Sequence, residues 1–351
     1  MKDERRRIDG LDREITRLLQ ERSEAAQKIG AHKARQEQGA FDPAREAEVL
    51  RAVGETEGPL SARELRAIFT EIISACRALE EPLRVAYMGP EHTFSHVAAR
   101  QKFGSQAHFE PLPTVTEVFR QVEAEQAQVG VVPVENSTGG VVAETLDCLL
   151  ASELKICAEL HLAIHLAVMA PGELAQVRTM YTHPQPLSQT RQWLRENLPG
   201  VEVTIASSTS AAAQQAAADP CGAALAPLPA AEAYGLRVLA TNVEDEPSNR
   251  TRFFLIALAD ARPTGRDKTS LVFSTAHRPG ALHEAMGAFA DHGLNLTLIQ
   301  SRPTHGQLWQ YVFFVDFEGH HQDANVQAML GELREHCALL KILGSYPAEE
   351  G

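Results

Sequence analysis

The sequence has no excess of positive charge, and this absence excludes one large class of proteins. It holds 33 Lys and Arg against 46 Asp and Glu, a formal net charge of −13 in 351 residues. A nucleic-acid-binding surface needs a surplus of cations to neutralise phosphates. We therefore expect no nucleic-acid partner, and a small anionic ligand would have to meet cations gathered locally.

Long apolar runs are missing as well. No uninterrupted apolar segment reaches the roughly 20 residues of a membrane-spanning helix, and the amino terminus is charged, without an apolar signal core. The sequence therefore predicts a cytoplasmic protein with no membrane partner.

Cysteine is scarce, and its spacing does not suit disulfides or a metal site. None of the five cysteines forms a C-x-x-C pair, so we expect reduced residues in or near the core. His161 and His165 are four apart but lie in a strand-like run without the glutamate of an H-E-x-x-H motif. His320 and His321 lie in a polar loop. No metal and no cofactor is predicted.

What the first 80 residues do contain is charge and helical periodicity. They carry 31 of the charged residues, and apolar positions from Ile8 to Ile29 recur at spacings of three and four. Asp42 and Pro43 mark the start of a second helix, and the capping box "SARE" at 61–64 opens a third. Three such helices are too few to enclose a compact core, so residues 1–82 predict an all-α domain that packs with a partner chain.

The pattern changes at residue 84. Over residues 84–260, short apolar strands alternate with helical stretches, which predicts a two-lobed α/β domain. After the linker "ADARPTGRDK", residues 268–347 have the order βαββαβ of the ferredoxin-like unit. The stretch "VPVENSTGG" at 132–140 ends an apolar strand in an acid, an amide and hydroxyls. It is either an ordinary polar turn or an anion-binding strand end followed by a helix.

Arg22 occupies a position that the first helix otherwise reserves for apolar side chains. A buried, unpaired guanidinium would cost several kcal/mol, so an anion must meet it. One source is a glutamate of a neighbouring helix. The other is a small dianion, because Lys33 lies three helical turns along the same face, about 16 Å away. Arg45 and Glu46 are further candidates at the start of the second helix.

These segments resemble a known family. "RRRIDGLDREITRLLQERSEAAQKIGAHKARQ" with "FDPAREAEVL" is similar to the all-helical chorismate mutase domain, and the downstream segments resemble prephenate dehydratase and then the ACT regulatory domain. The resemblance, to the bifunctional chorismate mutase/prephenate dehydratases of phenylalanine biosynthesis, covers nearly the whole chain. It implies an intertwined mutase homodimer or a higher homo-oligomer, a periplasmic-binding-protein-like dehydratase domain, chorismate and prephenate as substrates, and inhibition by phenylalanine.

By that resemblance, a set of cations and acids would serve the mutase reaction. Arg5 from the partner subunit, Arg22 and Arg45 would grip the carboxylates. Lys33 would face the ether oxygen and Glu46 the hydroxyl. Asp42, a cap or supporting residue, and Cys76 would complete the site. Glu80 would be the remaining residue of this site, at a position where some relatives have a glutamine. A glutamate donates a hydrogen bond there only when it is protonated. We predict that burial raises its pKa and that mutase activity falls at alkaline pH.

The dehydratase resemblance is carried by the motifs "GPEHTFS", "VPVENSTGG", "YTHPQPLSQ", "SSTS" and "NRTRF". It assigns Thr251 to the leaving hydroxyl, and Glu135 either to proton donation or to a structural role. Arg252 would be a substrate cation or a surface residue. The remaining predicted contacts are Thr93, Ser95, Asn136, Ser137, Thr138, His183, Gln189 and Phe253. The chain departs from the family pattern at His92, where glycine is usual, and at Gly139, where an acid is usual.

At the carboxyl end, "RPGALHEAM" and "QSRP" resemble the two phenylalanine-binding stretches of ACT domains. They predict contacts from Gly280, Ala281 and Leu282, and from Gln300, Ser301, Arg302 and Pro303. Gln300 replaces a common glutamate.

Two other functions fit parts of the pattern. A non-catalytic two-lobed sensor with an ACT domain fits the architecture. A mutase fused to prephenate dehydrogenase would need a G-x-G-x-x-G loop after the first strand of the middle domain, and "YMGPEHTFS" lacks it.

Overall fold

The computed structural model describes residues 1–35, 39, 41–303 and 311–349. The chain begins with three helices and continues into three sheets with covering helices, as the sequence predicts. None of the helices in these ranges combines the length and apolar character needed to cross a membrane.

The amino-terminal segment forms three helices, α1 (Lys2–Arg35), α2 (Pro43–Gly54) and α3 (Ala62–Glu80). Both α1 and α2 pack against α3. The predicted caps are confirmed: Asp42 accepts a hydrogen bond from the backbone of Arg45, and Ser61 and Glu64 form the reciprocal capping box. Much of α1 remains uncovered, since several of its apolar side chains are 47–55% exposed: Ile8, Leu11, Ile15, Leu18 and Ile29.

The first lobe of the α/β segment is a six-stranded sheet in the order β2-β1-β3-β11-β5, with β4 paired to β3. Its elements are β1 (Arg84–Met88), α4 (Phe94–Phe103), β2 (His108–Leu112), α5 (Val115–Glu123), β3 (Val129–Asn136), β4 (Gly140–Val141), α6 (Ala143–Ala151), β5 (Lys155–Ala163) and β11 (Arg250–Ala257). The central strands are almost entirely buried.

The second lobe is a five-stranded sheet in the order β10-β6-β9-β7-β8. Its elements are β6 (Ala167–Ala170), a 3₁₀ turn (Leu174–Gln176), β7 (Thr179–Thr182), α7 (Pro184–Gln189), α8 (Arg191–Asn197), β8 (Glu202–Ile205), α9 (Thr209–Ala218), β9 (Gly222–Ala226), α10 (Pro229–Ala233) and β10 (Arg237–Thr241). The chain crosses between the lobes twice, and the crossings are joined where Ile164 N donates to Asn249 O at 2.9 Å. A cleft between the lobes is lined by residues of both.

The carboxyl-terminal segment has the predicted ferredoxin-like sheet, in the order β13-β14-β12-β15. Its elements are β12 (Asp267–Thr275), α11 (Ala281–Asp291), β13 (Leu296–Pro303), β14 (Tyr311–Glu318), α12 (Ala324–His336) and β15 (Cys337–Pro347). The start of the strand predicted over "LWQYVFFVDF" lies outside the described residues.

This sheet packs directly on the first lobe. Val272, Phe314 and Tyr346 belong to the same apolar core as Ile156 and Phe254. At Gly344 the two backbones are so close that an added Cβ would lie 2.2 Å from Ile156 O, which only glycine avoids. The carboxyl-terminal segment is thus built against the strands that carry the cleft residues.

Candidate active sites

A cavity of about 280 Å³ lies among the three amino-terminal helices. Four cationic side chains and three carboxylates line it: Arg22, Lys33, Arg45, Arg77, Asp42, Glu46 and Glu80. Apolar residues and Cys76 complete the wall. The structure therefore brings together all the predicted mutase residues except Arg5.

Helix geometry explains this gathering. Arg22 and Lys33 are three turns apart on one face of α1, while Arg45 and Glu46 lie in the first turn of α2. Arg22 is partly rather than fully buried, and the partner that α3 supplies is a thiol, since Arg22 Nη1 donates to Cys76 Sγ at 2.8 Å. Arg5 lies at the far end of α1, about 25 Å from Arg22 along the helix axis. Within one chain it does not reach the cavity.

Glu80 lies at the end of α3 with one carboxylate oxygen buried. Lys33 Nζ is 3.9 Å from Glu80 Oε2, and that oxygen has no hydrogen-bond partner among the described residues. Burial raises the pKa of Glu80, while Lys33, Arg77 and Arg22 act in the opposite direction. The predicted direction is confirmed. A protonated Glu80 would leave four cations facing two carboxylates, which suits a dianion.

Arg77 is a cavity residue that we did not predict from the sequence. It is 5% exposed, and its guanidinium forms a short ion pair with Glu46. It follows Ile73 by four residues and precedes Glu80 by three, so it shares their face of α3. The signal that identified Arg22, a cation within an apolar stripe, was therefore present here too.

A second cavity, of about 410 Å³, lies between the lobes of the α/β segment. Its polar lining contains six predicted residues: Thr93, Ser95, Asn136, His183, Gln189 and Thr251. The predicted Phe253 lines it as well. The lining also includes four residues to which the sequence assigned no role: Gln185, Ser207, Ser208 and Thr209. Thr93, His183 and Ser208 occupy the N-cap positions of α4, α7 and α9, and the last two accept hydrogen bonds there from backbone N–H groups. Helix amino ends present N–H groups and partial positive charge, so the site can hold an anion without a cationic side chain.

Thr251 and Asn136 face each other on paired strands, β11 and β3. Asn136 Nδ2 donates to Thr251 Oγ1 at 2.8 Å and to Asn249 Oδ1 at 2.9 Å. Asn136 Oδ1 accepts from the N–H groups of Thr138 and Gly139, which fixes the orientation of the amide. Because Thr251 Oγ1 is an acceptor in this arrangement, its own proton is available to a group in the cavity.

His183 contributes an uncharged ring to the opposite wall. Burial lowers the pKa of His183, which favours the neutral imidazole. Its Nδ1 accepts from Gln185 N at 3.4 Å, so the ring proton is assigned to Nε2. The ring can therefore act as a hydrogen-bond donor towards a carboxylate.

Several predicted cleft residues lie elsewhere. Among the described residues, Glu135, Ser137 and Thr138 are not part of the cavity lining. Thr138 Oγ1 instead donates to Asn136 Oδ1 and accepts from Gln189 Nε2, and Ser137 Oγ accepts from Arg250 N. These side chains stabilise the turn that carries Asn136.

Arg252 requires a correction, since neither predicted role fits. It is 8% exposed, so it is not a surface residue, and its guanidinium points away from the cleft towards the carboxyl-terminal sheet. Arg252 Nε donates to Glu159 at 2.9 Å, and the other nitrogens bind Asp316 and the Tyr346 hydroxyl. Its charge is fully engaged in this buried network and is not available to a substrate in the cleft.

The two departures from the family pattern take different forms. His92 adopts a left-handed backbone conformation, with φ of 63°, and its ring contacts Tyr234 of the other lobe. Gly139 leaves no side chain beside Asn136, where an added Cβ would lie 3.2 Å from Oδ1. Neither residue blocks the cavity.

A third cavity, of about 460 Å³, lies in the carboxyl-terminal domain at the amino end of α11. Gly280, Ala281 and Leu282 line it, and Gly280 has φ of 81°, a conformation that favours glycine. The second set of predicted phenylalanine contacts, residues 300–303, does not line this cavity within one chain. Along β13, Ser301 and Pro303 lie exposed and Gln300 is half-buried.

Arg302 also differs from its predicted role. Its guanidinium forms a bidentate ion pair with Asp147 of α6, in which Nε donates to Oδ1 at 3.1 Å and Nη2 to Oδ2 at 2.9 Å. This contact belongs to the junction with the α/β segment, and it occupies the groups that would bind a ligand carboxylate.

Among the described residues, no group of three or more His, Cys, Asp and Glu side chains is arranged to hold a metal ion.

Comparisons with known proteins agree on one family. A relative from Aquifex aeolicus, named bifunctional chorismate mutase/prephenate dehydratase, is 44% identical over 99% of this chain and 98% of its own length. One of the same name from Stutzerimonas stutzeri is 44% identical over 97% of this chain and 96% of its own. The crystal structure of a prephenate dehydratase from Arthrobacter aurescens in complex with L-Phe matches with a TM-score of 0.71. It is 36% identical and covers 76% of this chain and 90% of its own.

Family models match three successive segments: chorismate mutase type II over residues 4–81, prephenate dehydratase over 85–261 and ACT domain over 269–335. The fold and the cavities thus define a multidomain enzyme class in which a helical mutase precedes an α/β dehydratase and a regulatory domain. The chain belongs to the family of bifunctional chorismate mutase/prephenate dehydratases.

Proposed function

We propose that this chain rearranges chorismate to prephenate in the helical cavity and converts prephenate to phenylpyruvate in the interlobe cavity. We assign the two reactions and the regulatory function to residues 1–82, 84–260 and 268–347. The observation that carries the proposal is the presence, on one chain of this family, of a cation-lined cavity and a separate cleft of hydroxyls, amides and helix amino ends.

The mutase reaction is a pericyclic rearrangement, so it needs neither a nucleophile nor an obligatory proton transfer. The protein must hold the dicarboxylate in a folded conformer and stabilise negative charge on the breaking ether oxygen. Arg22, Arg45 and a partner's Arg5 bind the carboxylates. Lys33 and protonated Glu80 face the ether oxygen.

The other mutase residues support this arrangement. Glu46 accepts from the substrate hydroxyl, Asp42 caps α2, and Cys76 holds Arg22.

The dehydratase reaction breaks two bonds at opposite ends of the prephenate ring. The C–C bond to the ring carboxylate breaks and releases CO₂, its electrons form the aromatic ring, and the C–O bond breaks as the hydroxyl takes up one proton from solvent and leaves as water. Thr251 donates a hydrogen bond to the departing oxygen, and Asn136 orients the Thr251 hydroxyl towards it. The substrate carboxylates are bound by Thr93, Ser95, His183, Gln189 and the nearby helix amino ends.

The chain acts as a homodimer or a higher homo-oligomer in the cytoplasm. Support comes from the exposed apolar side chains along α1 and from Arg5, which reaches a mutase cavity only if a second chain supplies it. Ile15→Glu places a charge in the middle of that surface. Sedimentation should show dissociation, with loss of mutase activity; an unchanged assembly would contradict this arrangement.

Phenylalanine inhibits the dehydratase by binding the carboxyl-terminal domain. The Arthrobacter structure holds L-Phe, and this chain has a cavity where Gly280, Ala281 and Leu282 open α11. In a dimer, Gln300, Ser301 and Pro303 on β13 of one chain complete the site of the other. Calorimetry on the full-length chain tests this, and the absence of phenylalanine binding would contradict it.

One coupled assay tests the activities themselves. Purified chain supplied with chorismate should accumulate prephenate and then phenylpyruvate. A non-catalytic sensor would bind ligands without forming either product.

A further inference from the structure

Arg77 lies where the helical domain meets the dehydratase domain. It is on α3, next to Cys76 and one turn before Glu80, and it lines the mutase cavity. At 5% exposure it is a buried charge, which proteins tolerate only when the charge is paired and its hydrogen-bonding groups are satisfied.

Its guanidinium has a different partner at each end. Nη1 donates to Glu46 Oε1 in a short ion pair, and Nη2 donates to the carbonyl oxygen of Phe103 at 2.9 Å. The aromatic rings of Phe41 and Phe103 flank it, with centroids 6.0 and 5.4 Å from the guanidinium carbon. These contacts leave the guanidinium little freedom to rotate.

The attachment at Phe103 comes from outside the helical domain, because Phe103 ends α4 of the dehydratase domain. Neighbouring contacts strengthen the same junction. Ser74 Oγ accepts from Gln106 N at 3.1 Å, and Glu71 accepts from both the N–H and the hydroxyl of Ser105. Arg77 is therefore fixed from the dehydratase side.

Glu46 gains its geometry from this arrangement. One carboxylate oxygen is occupied by Arg77, so the other is left to accept a hydrogen bond within the cavity. Without Arg77 the carboxylate could turn towards Lys33 or Arg45, two of the three other cations that line the cavity. Small errors of this kind reduce the rate of a reaction that depends on holding one conformer.

We propose that Arg77 is a positioning residue of the mutase reaction, which fixes Glu46 for the substrate hydroxyl while itself anchored to the Phe103 carbonyl. The inference rests on the proposed mutase activity of the helical cavity. It assigns to Arg77 no contact with the reacting atoms.

The test is a double-mutant cycle in the full-length chain, with mutase kcat and KM measured for Arg77→Met, Glu46→Gln and the double variant. Arg77→Met should lower kcat/KM about tenfold, chiefly through kcat, in the range of couplings between contacting residues. In the Glu46→Gln background the same change should cost less than about twofold, because the group through which Arg77 acts is already altered. Arg77→Lys, which keeps one donor for Glu46, should recover part of the loss.

Two controls separate this role from general stability. The dehydratase activity of each preparation reports whether the shared junction has folded, and it should be retained in Arg77→Lys. Arg63→Met, an exposed cation on the same helix, should leave mutase activity unchanged.

Equal losses from Arg77→Met in both backgrounds, or full mutase activity in that variant, would overturn the inference. Absence of mutase turnover in the unmodified chain would instead refute the proposed function, so the two failures are distinguishable.

Discussion

The side-chain amide of Asn136 donates a hydrogen bond to the Thr251 hydroxyl oxygen across 2.8 Å, joining strands β3 and β11 at the floor of the interlobe cleft. The two residues are 115 positions apart in the sequence. Their contact turns the threonine proton towards the cavity and explains why a strand should end in the polar stretch "VPVENSTGG".

Removing the Thr251 hydroxyl should abolish most dehydratase activity without disturbing the fold. Thr251→Val keeps the shape of the side chain, and we expect kcat on prephenate to fall about 10²- to 10³-fold, as for loss of a donor to a developing charge. Thr251→Ser, which keeps the hydroxyl, should stay within about tenfold of the unmodified enzyme. Equal activity in the valine variant and the unmodified chain would show that another group acts at the departing oxygen.

Glu80 should give the mutase reaction an alkaline limit. Burial raises the pKa of Glu80, against the influence of Lys33, Arg77 and Arg22, so its donor form persists to a higher pH than in an exposed glutamate. As pH rises through that pKa, the donor is lost and the rate should fall. Glu80→Gln donates at every pH, so its mutase rate should stay level across the same range. Identical pH profiles for the two proteins would contradict this role.

The Arg302–Asp147 ion pair should help to transmit inhibition by phenylalanine. It joins β13 of the regulatory domain to α6, which comes after the Asn136 turn in the chain. An effector changes a distant site only through contacts that differ between two states. We expect Asp147→Ala to bind phenylalanine normally by calorimetry yet to need several-fold more of it for half inhibition.

Asp291→Ala provides the matched control for this variant, since it removes an exposed acid from α11. It should leave inhibition unchanged. Normal inhibition in Asp147→Ala would exclude the ion pair from transmission.

Arg252 should stabilise the junction between the dehydratase and regulatory domains. Arg252→Met removes the guanidinium that pairs with the buried carboxylates of Glu159 and Asp316. We expect this to lower the free energy of unfolding by about 3–5 kcal/mol. Arg250→Met, one residue before Thr251 and exposed, should cost less than about 0.5 kcal/mol. Thermal unfolding of both variants measures the difference, and equal melting temperatures would contradict it.

The same network predicts the response to acid. Burial alone would raise the pKa of Glu159, but Arg252 and Lys268 together lower it. A carboxylate with a lowered pKa contributes stability above its unfolded pKa and loses it as pH falls through the folded value. The stability difference between the unmodified chain and Arg252→Met should therefore shrink at acid pH.

Features set by local spacing could be predicted from the sequence. The caps at Asp42 and Ser61 depend on neighbouring residues, and both are present. The apolar pattern does not indicate strand β2, because "HFEPL" contains a proline and lies at a sheet edge. Helices α7 and α8 follow each other directly but are separate, because Thr190 between them has a φ of −132°, which is not helical.

The partners of buried charges could not be predicted in the same way. Arg252 comes directly after Thr251 in a motif, but the acids that bind it come from β5 and from a different domain. Periodicity places a side chain on a face of its own element and does not identify the element that packs there. The position of Arg77 in the stripe of α3 was visible in the sequence, but its partners Glu46 and Phe103, 31 and 26 residues away, were not.

The central claim is that the chain holds two independent active sites. Lys33→Ala and Thr251→Val should be assayed side by side for chorismate consumption and for phenylpyruvate formation from added prephenate. The account predicts that Lys33→Ala loses the first activity and keeps the second, while Thr251→Val does the reverse. Loss of both activities in either variant, or retention of both in either, would contradict it.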